Sequence, residues 1–121
     1  MAELHCTDTH LTVRLTGVRR AFGRRRPLMI PLAAVTAVRA DPAAARAFPG
    51  ARWGVATNIP GVVNVGSFRR GGKRDFWDVA NPDLAIVVEL EGARYDRLLL
   101  EVDDPVAGVA EILAAVEASR R

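Results

Sequence analysis

The chain has 121 residues, about one domain's worth, half of them hydrophobic and 26% charged, a globular balance that excludes a disordered chain. Its formal net charge of +3 hides an asymmetry: residues 1–74 carry 13 basic and 3 acidic side chains (net +10), and residues 75–121 carry 4 and 11 (net −7). A single Cys excludes an intramolecular disulfide framework, and no apolar run reaches the roughly 20 residues that a membrane-spanning helix needs.

Two arrangements fit the polarised charge. The halves interleave and neutralise each other, or one face stays basic and attracts phosphates or anionic lipid. The first segment, Met1–Asp8, has an acid at Glu3 and no apolar stretch of the signal-peptide kind, so the expected location is the cytoplasm.

In chain order, His10–Gly17 alternates Leu11, Val13 and Leu15 with Thr12, Arg14 and Thr16, the period of a half-buried strand, and residues 2–8 are placed to pair with it. Val18–Arg26 fits one helical turn, with Val18 and Phe22 inward and Arg19, Arg20, Arg24, Arg25 and Arg26 outward or in the exit loop. Leu28–Ala40 reads as a strand broken at Pro31, because proline has no N–H for a ladder. Residues 41–61 carry Pro42, Pro49, Gly50, Gly54, Pro60 and Gly61, so an irregular loop is expected there, with at most a short helix at Ala43–Ala47.

From Gly61 the pattern sharpens. Val62–Phe68 and Asp75–Val79 read as strands joined by Arg69-Arg70-Gly71-Gly72-Lys73-Arg74, where Gly-Gly supplies the positive φ of a tight turn. Leu84–Glu91 and Tyr95–Asp103 form the next pair. Asp104-Pro105 then opens a helix of about residues 105–118, with Asp as N-cap and Pro in the first turn. Val106, Val109, Leu113 and Val116 fall on one stripe with Ile112 beside them, and that stripe is expected to face the core. The expected fold is mainly β (α+β): antiparallel strands in a small barrel or sandwich, its open end plugged by this helix.

The phrases Leu15-Thr16-Gly17, Ile30-Pro31-Leu32-Ala33-Ala34-Val35, Gly66–Val79 and Ala85–Leu98 resemble the bacterial pleckstrin-homology-like (PH-like) proteins, in particular a short single-domain type found in actinobacteria. The resemblance covers most of residues 10–118. It implies a small barrel of two near-orthogonal antiparallel sheets capped by one C-terminal helix, on a scaffold that hosts lipid, peptide and protein ligands alike. In lipid-binding members, basic residues on a strand hairpin hold the head group. The candidates here are Arg69, Arg70, Lys73 and Arg74, the alternative being a solvated turn.

Trp53, Ile59 and Val62, in and after the Pro/Gly loop, are candidates for a partner-binding surface or for closing the core. Nucleic acid is not expected, because most of the seven aromatics are needed inside. Asp75 and Asp78 fall on opposite sides of a strand and cannot act as a catalytic pair; Asp75 is expected to meet a neighbouring Arg. His5, Cys6 and His10 lack the spacing of a metal site. Phosphate-loop, dinucleotide and nucleophile motifs are absent from the sequence, so no cofactor, metal or catalytic residue is expected. The first functional expectation is a non-enzymatic interaction module that binds itself or a protein partner. The second is peripheral binding of anionic lipid or a phosphorylated small molecule through the hairpin.

Overall fold

The computed structural model describes residues 1–16, 26–59 and 63–121, with the backbone alone at 53–57 and 59. Of the expected turn over Val18–Arg26, residues 18–25 lie outside the described residues. Strands β1 (Ala2–Cys6) and β2 (His10–Leu15) form a hairpin with Ala2 opposite Leu15 and Cys6 opposite Leu11. Thr7 pins its turn, its Oγ1 accepting the backbone N–H groups of Thr9 and His10 at 3.3 and 3.1 Å. β3 (Leu28–Pro31) adds to β2 and completes a three-stranded antiparallel sheet. Leu11, Val13 and Leu15 are buried as their alternation requires.

Pro31 ends β3, and one 3-10 turn at Leu32–Ala34 carries the chain into the second sheet as β4 (Val35–Ala40). The break at Pro31 is thus a transfer between sheets. Asp41 caps a short helix, α1 (Pro42–Arg46), its carboxylate accepting the Ala44 N–H at 3.0 Å. That bond, then the side-chain contact with Arg39, holds the Asp41 carboxyl below the usual carboxylate range. A lowered folded pKa stabilises the fold above the unfolded value near 3.9, and the contribution is lost as pH falls through the folded value. Asp41→Ala should therefore cost about 1 kcal/mol at neutral pH and nothing once both states are protonated, as urea unfolding across pH will register.

β5 (Ala51–Ile59), β6 (Val63–Arg70), β7 (Lys73–Val79), β8 (Ala85–Leu90) and β9 (Arg97–Glu101) complete a six-stranded sheet in the order β4-β8-β9-β7-β6-β5. The expected loop at 41–61 is corrected: its second half is a nine-residue strand whose register with β6 shifts between Arg52 and Ala56. The bulge absorbs Gly54, and pairing with β6 outweighs the punctuation that marked a loop.

β9 lies between β8 and β7, antiparallel to the first and parallel to the second. The two sheets and the C-terminal helix are as expected. The sheets do not close into a barrel, and the β7–β9 pair departs from an all-antiparallel arrangement.

The inner face of the large sheet, with Val65, Phe76, Ile86, Val88, Leu98 and Leu100, packs against the small sheet. The outer face carries a second core of Phe68, Trp77, Val79, Ala85, Val87 and Leu99 beneath Ala45 of α1. Burial on both faces explains why Ile86-Val87-Val88 and Leu98-Leu99-Leu100 are continuous apolar runs.

Helix α2 (Pro105–Ser119) packs on β1, β4, β8 and the 3-10 turn, bridging one edge of each sheet. Asp104 caps it by accepting the Ala107 N–H at 3.2 Å. The expected inward stripe is corrected. Gly108, Ile112 and Val116 are buried with Val109 and Ala115 beside them, whereas Val106 is 79% and Leu113 49% exposed. Only Glu111 and Glu117 are charged over these 15 residues. The helix therefore lacks the polar contrast that would mark its inner side.

Candidate functional site

Gly71 and Gly72, at φ of 56° and 83°, make the two-residue turn between β6 and β7 and set Arg70 opposite Lys73 and Arg69 opposite Arg74. Directly opposed residues share a face. Arg69 and Arg74 thus share the inner face with Ser67 and Phe76, and Arg70 and Lys73 the outer face with Phe68 and Trp77. The hairpin brings the four predicted cations to one tip and divides them two and two.

On the outer face, Asp75 is fully buried. Its Oδ2 accepts two bonds from Arg97 of β9, Nε at 3.0 Å and a terminal nitrogen at 2.8 Å, and Arg70 Nε stands 3.5 Å away. The parallel register that pairs Asp75 with Arg97 creates this contact. Asp96 locks the start of β7: its carboxylate accepts the Arg74 N–H at 2.8 Å, and its own N–H bonds the Arg74 carbonyl at 2.7 Å.

Arg52 of β5 lies opposite Phe68 and so joins Arg70 and Lys73 on the outer face, an addition that sequence reasoning missed because it read residues 41–61 as loop. Gly50, at φ +103°, brings the start of β5 against the Arg69 carbonyl. Two residues before it, Phe48 is 72% exposed. Arg26 is exposed, and Arg19, Arg20, Arg24 and Arg25 lie outside the described residues. Trp53 and Ile59 are placed on β5 with side chains outside the description, and Val62 is likewise outside it.

Among the described residues, ion pairs join the two charged halves. Arg39 pairs with Glu89, Arg46 with Asp83 and Arg70 with Asp75, each joining a cation before residue 75 to a later carboxylate. Two further buried carboxylates have structural surroundings. Glu101 Oε1 accepts the Ala80 and Asn81 N–H groups, both at 2.8 Å, at the turn after β7. Asp78, on the inner face, stands 3.8 Å from the Met1 amino group.

Burial, with the Glu111 carboxylate adding to it, pushes the Cys6 thiol up and so keeps it protonated at neutral pH. Among the described residues, no three His, Cys, Asp or Glu side chains gather as metal ligands. Nor is any helix among them long and apolar enough to cross a membrane.

The second candidate surface is the outer side of α2. Val106 and Leu113 lie two turns apart, with the exposed Ala110 and Ala114 beside them. No protein-family model, curated protein or solved structure matches the chain.

Proposed function

We propose that the chain is a cytoplasmic, non-enzymatic interaction module of the PH-like kind, and that its partner is a second copy of itself. The outer side of α2 carries this reading: a helix already docked through Ile112 and Val116 also presents Val106 and Leu113 to solvent. Large apolar side chains cost free energy in water, at about 25 cal/mol per Å2, and mutual burial between copies recovers it. Light scattering across a concentration series tests the reading. The mass should rise from monomer toward dimer as concentration increases, and a monomeric mass at every concentration up to about 1 mM overturns it.

A second reading, an anionic lipid head group or phosphorylated small molecule at the hairpin, is favoured by the shared outer-face position of Arg52, Arg70 and Lys73. Co-sedimentation with anionic vesicles at low salt should then exceed that with neutral vesicles, and Arg70→Glu with Lys73→Glu should abolish the difference. Equal binding to both vesicle types rejects the lipid version of this reading.

A further inference from the structure

We propose that a small amphipathic carboxylate binds in the cleft between β3 and the β8–β9 turn, its carboxylate on Arg94 and its apolar body along Pro27–Pro31. The cleft shares no residue with the outer side of α2 or with the hairpin cations, so the proposal stands apart from the readings given for those surfaces.

β3 is the end strand of the three-stranded sheet, and the chain from Pro27 to Pro31 forms one wall of an open cavity of about 460 Å3. Leu28 and Ile30 turn into the core, which leaves Met29 60% exposed on that wall. A proline stands at either end, Pro27 before the strand and Pro31 as its last residue, and neither has an N–H to give. So short and interrupted an edge is a poor template for a further strand, and the wall offers apolar surface instead.

The opposite wall is Ala93 and Arg94, in the turn between β8 and β9. That turn is held at both ends: the Leu90 N–H donates to the Asp96 carbonyl, and the Glu91 N–H to the Ala34 carbonyl, both at 2.9 Å. Arg94 packs over the Tyr95 ring, its guanidinium carbon 5.5 Å from the ring centre. Tyr95 is fixed in turn by a 2.7 Å hydrogen bond with Ser67 and by the Phe76 ring, 5.6 Å away between centres. The cation is thus positioned before a ligand arrives, which lowers the cost of binding. A guanidinium has five N–H donors in a planar fork, so packing on a ring is compatible with two parallel bonds to a carboxylate.

The lining defines the ligand class. Apolar walls around one polar group are the pattern of small-molecule pockets, and the volume lies within their range of about 300–1,000 Å3. Of the described residues that line the cavity, Arg94 alone is charged, which matches a monoanion. A phosphate monoester, with a charge of about −1.5 to −2, would leave part of that charge uncompensated. The space equals that of about 15 waters, enough for a body of roughly ten non-hydrogen atoms, and the unbranched Met29 adapts to its shape.

Octanoate tests this, with octanol as its neutral counterpart and octyl phosphate as the more highly charged one. Amide chemical shifts of the full chain follow each titration. Octanoate should shift Met29, Ile30, Ala93 and Arg94, with a dissociation constant on the order of 1 mM, and the other two should bind at least about fivefold more weakly. Arg94→Gln and Met29→Glu, both at exposed positions, should each raise the dissociation constant about tenfold with the melting temperature unchanged. No shift of these amides at about 20 mM octanoate overturns the site. Shifts centred on Arg52, Arg70 and Lys73 place the anion at the hairpin and overturn it equally. Octanol binding as tightly as octanoate, or undiminished binding by Arg94→Gln, overturns the role of Arg94. Octyl phosphate binding more tightly than octanoate overturns the carboxylate as the preferred group.

Discussion

Gly50→Ala should lower the unfolding free energy by about 4 kcal/mol or more, as read by urea denaturation. Gly50 adopts φ +103°, a conformation that L side chains rarely enter, and a methyl group there would overlap the Arg69 carbonyl oxygen and stand 2.9 Å from its carbon. Both obstacles are backbone, so no rotamer change relieves them. Gly92→Ala is the internal control: it has φ +74° with nothing within 4 Å of the added carbon, so it carries the conformational cost alone, about 1 kcal/mol. Equal losses for the two variants would show that the approach of β5 to β6 at Gly50 is looser than described.

Asp75→Ala should cost about 3–5 kcal/mol, because it leaves the Arg97 guanidinium, 16% exposed, without its carboxylate. The loss belongs to the orphaned charge more than to the pair. Asp75→Leu combined with Arg97→Met should therefore recover most of it, the outer core already being lined by Phe68, Trp77 and Leu99. A double-mutant cycle measured by chemical denaturation gives the coupling directly. A loss below about 1 kcal/mol for Asp75→Ala would mean that water reaches Arg97 in the variant.

Local signals in the chain were reliable wherever one short segment decides the outcome. Gly71-Gly72 specified its turn, Asp104-Pro105 specified the start of α2, and the alternation of residues 11–15 specified a strand with one wet face. Features set by distant partners were not legible. β5 is a strand because β6 lies beside it, against the testimony of Gly50 and Gly54.

The inner side of α2 is chosen by what meets it, Leu4 and Val102 packing around Gly108, and a helix with apolar residues on every side and only Glu111 and Glu117 charged carries little internal record of that choice. Among the site residues, an arginine partner for Asp75 was foreseeable from the local charge. Its identity as Arg97 follows from the parallel β7–β9 register, which joins residues 22 positions apart.

The placement of β9 has a consequence for how the chain is made. The last of the described strands of the large sheet in chain order fills its middle, between β8 and β7. Until residues 97–101 have left the ribosome, β4–β8 and β5-β6-β7 are two ribbons with a missing seam, each with an open hydrogen-bonding edge and an uncovered apolar face. Completion of this sheet must therefore wait for β9, and nascent chains stalled before Arg97 should be the ones that chaperones hold longest.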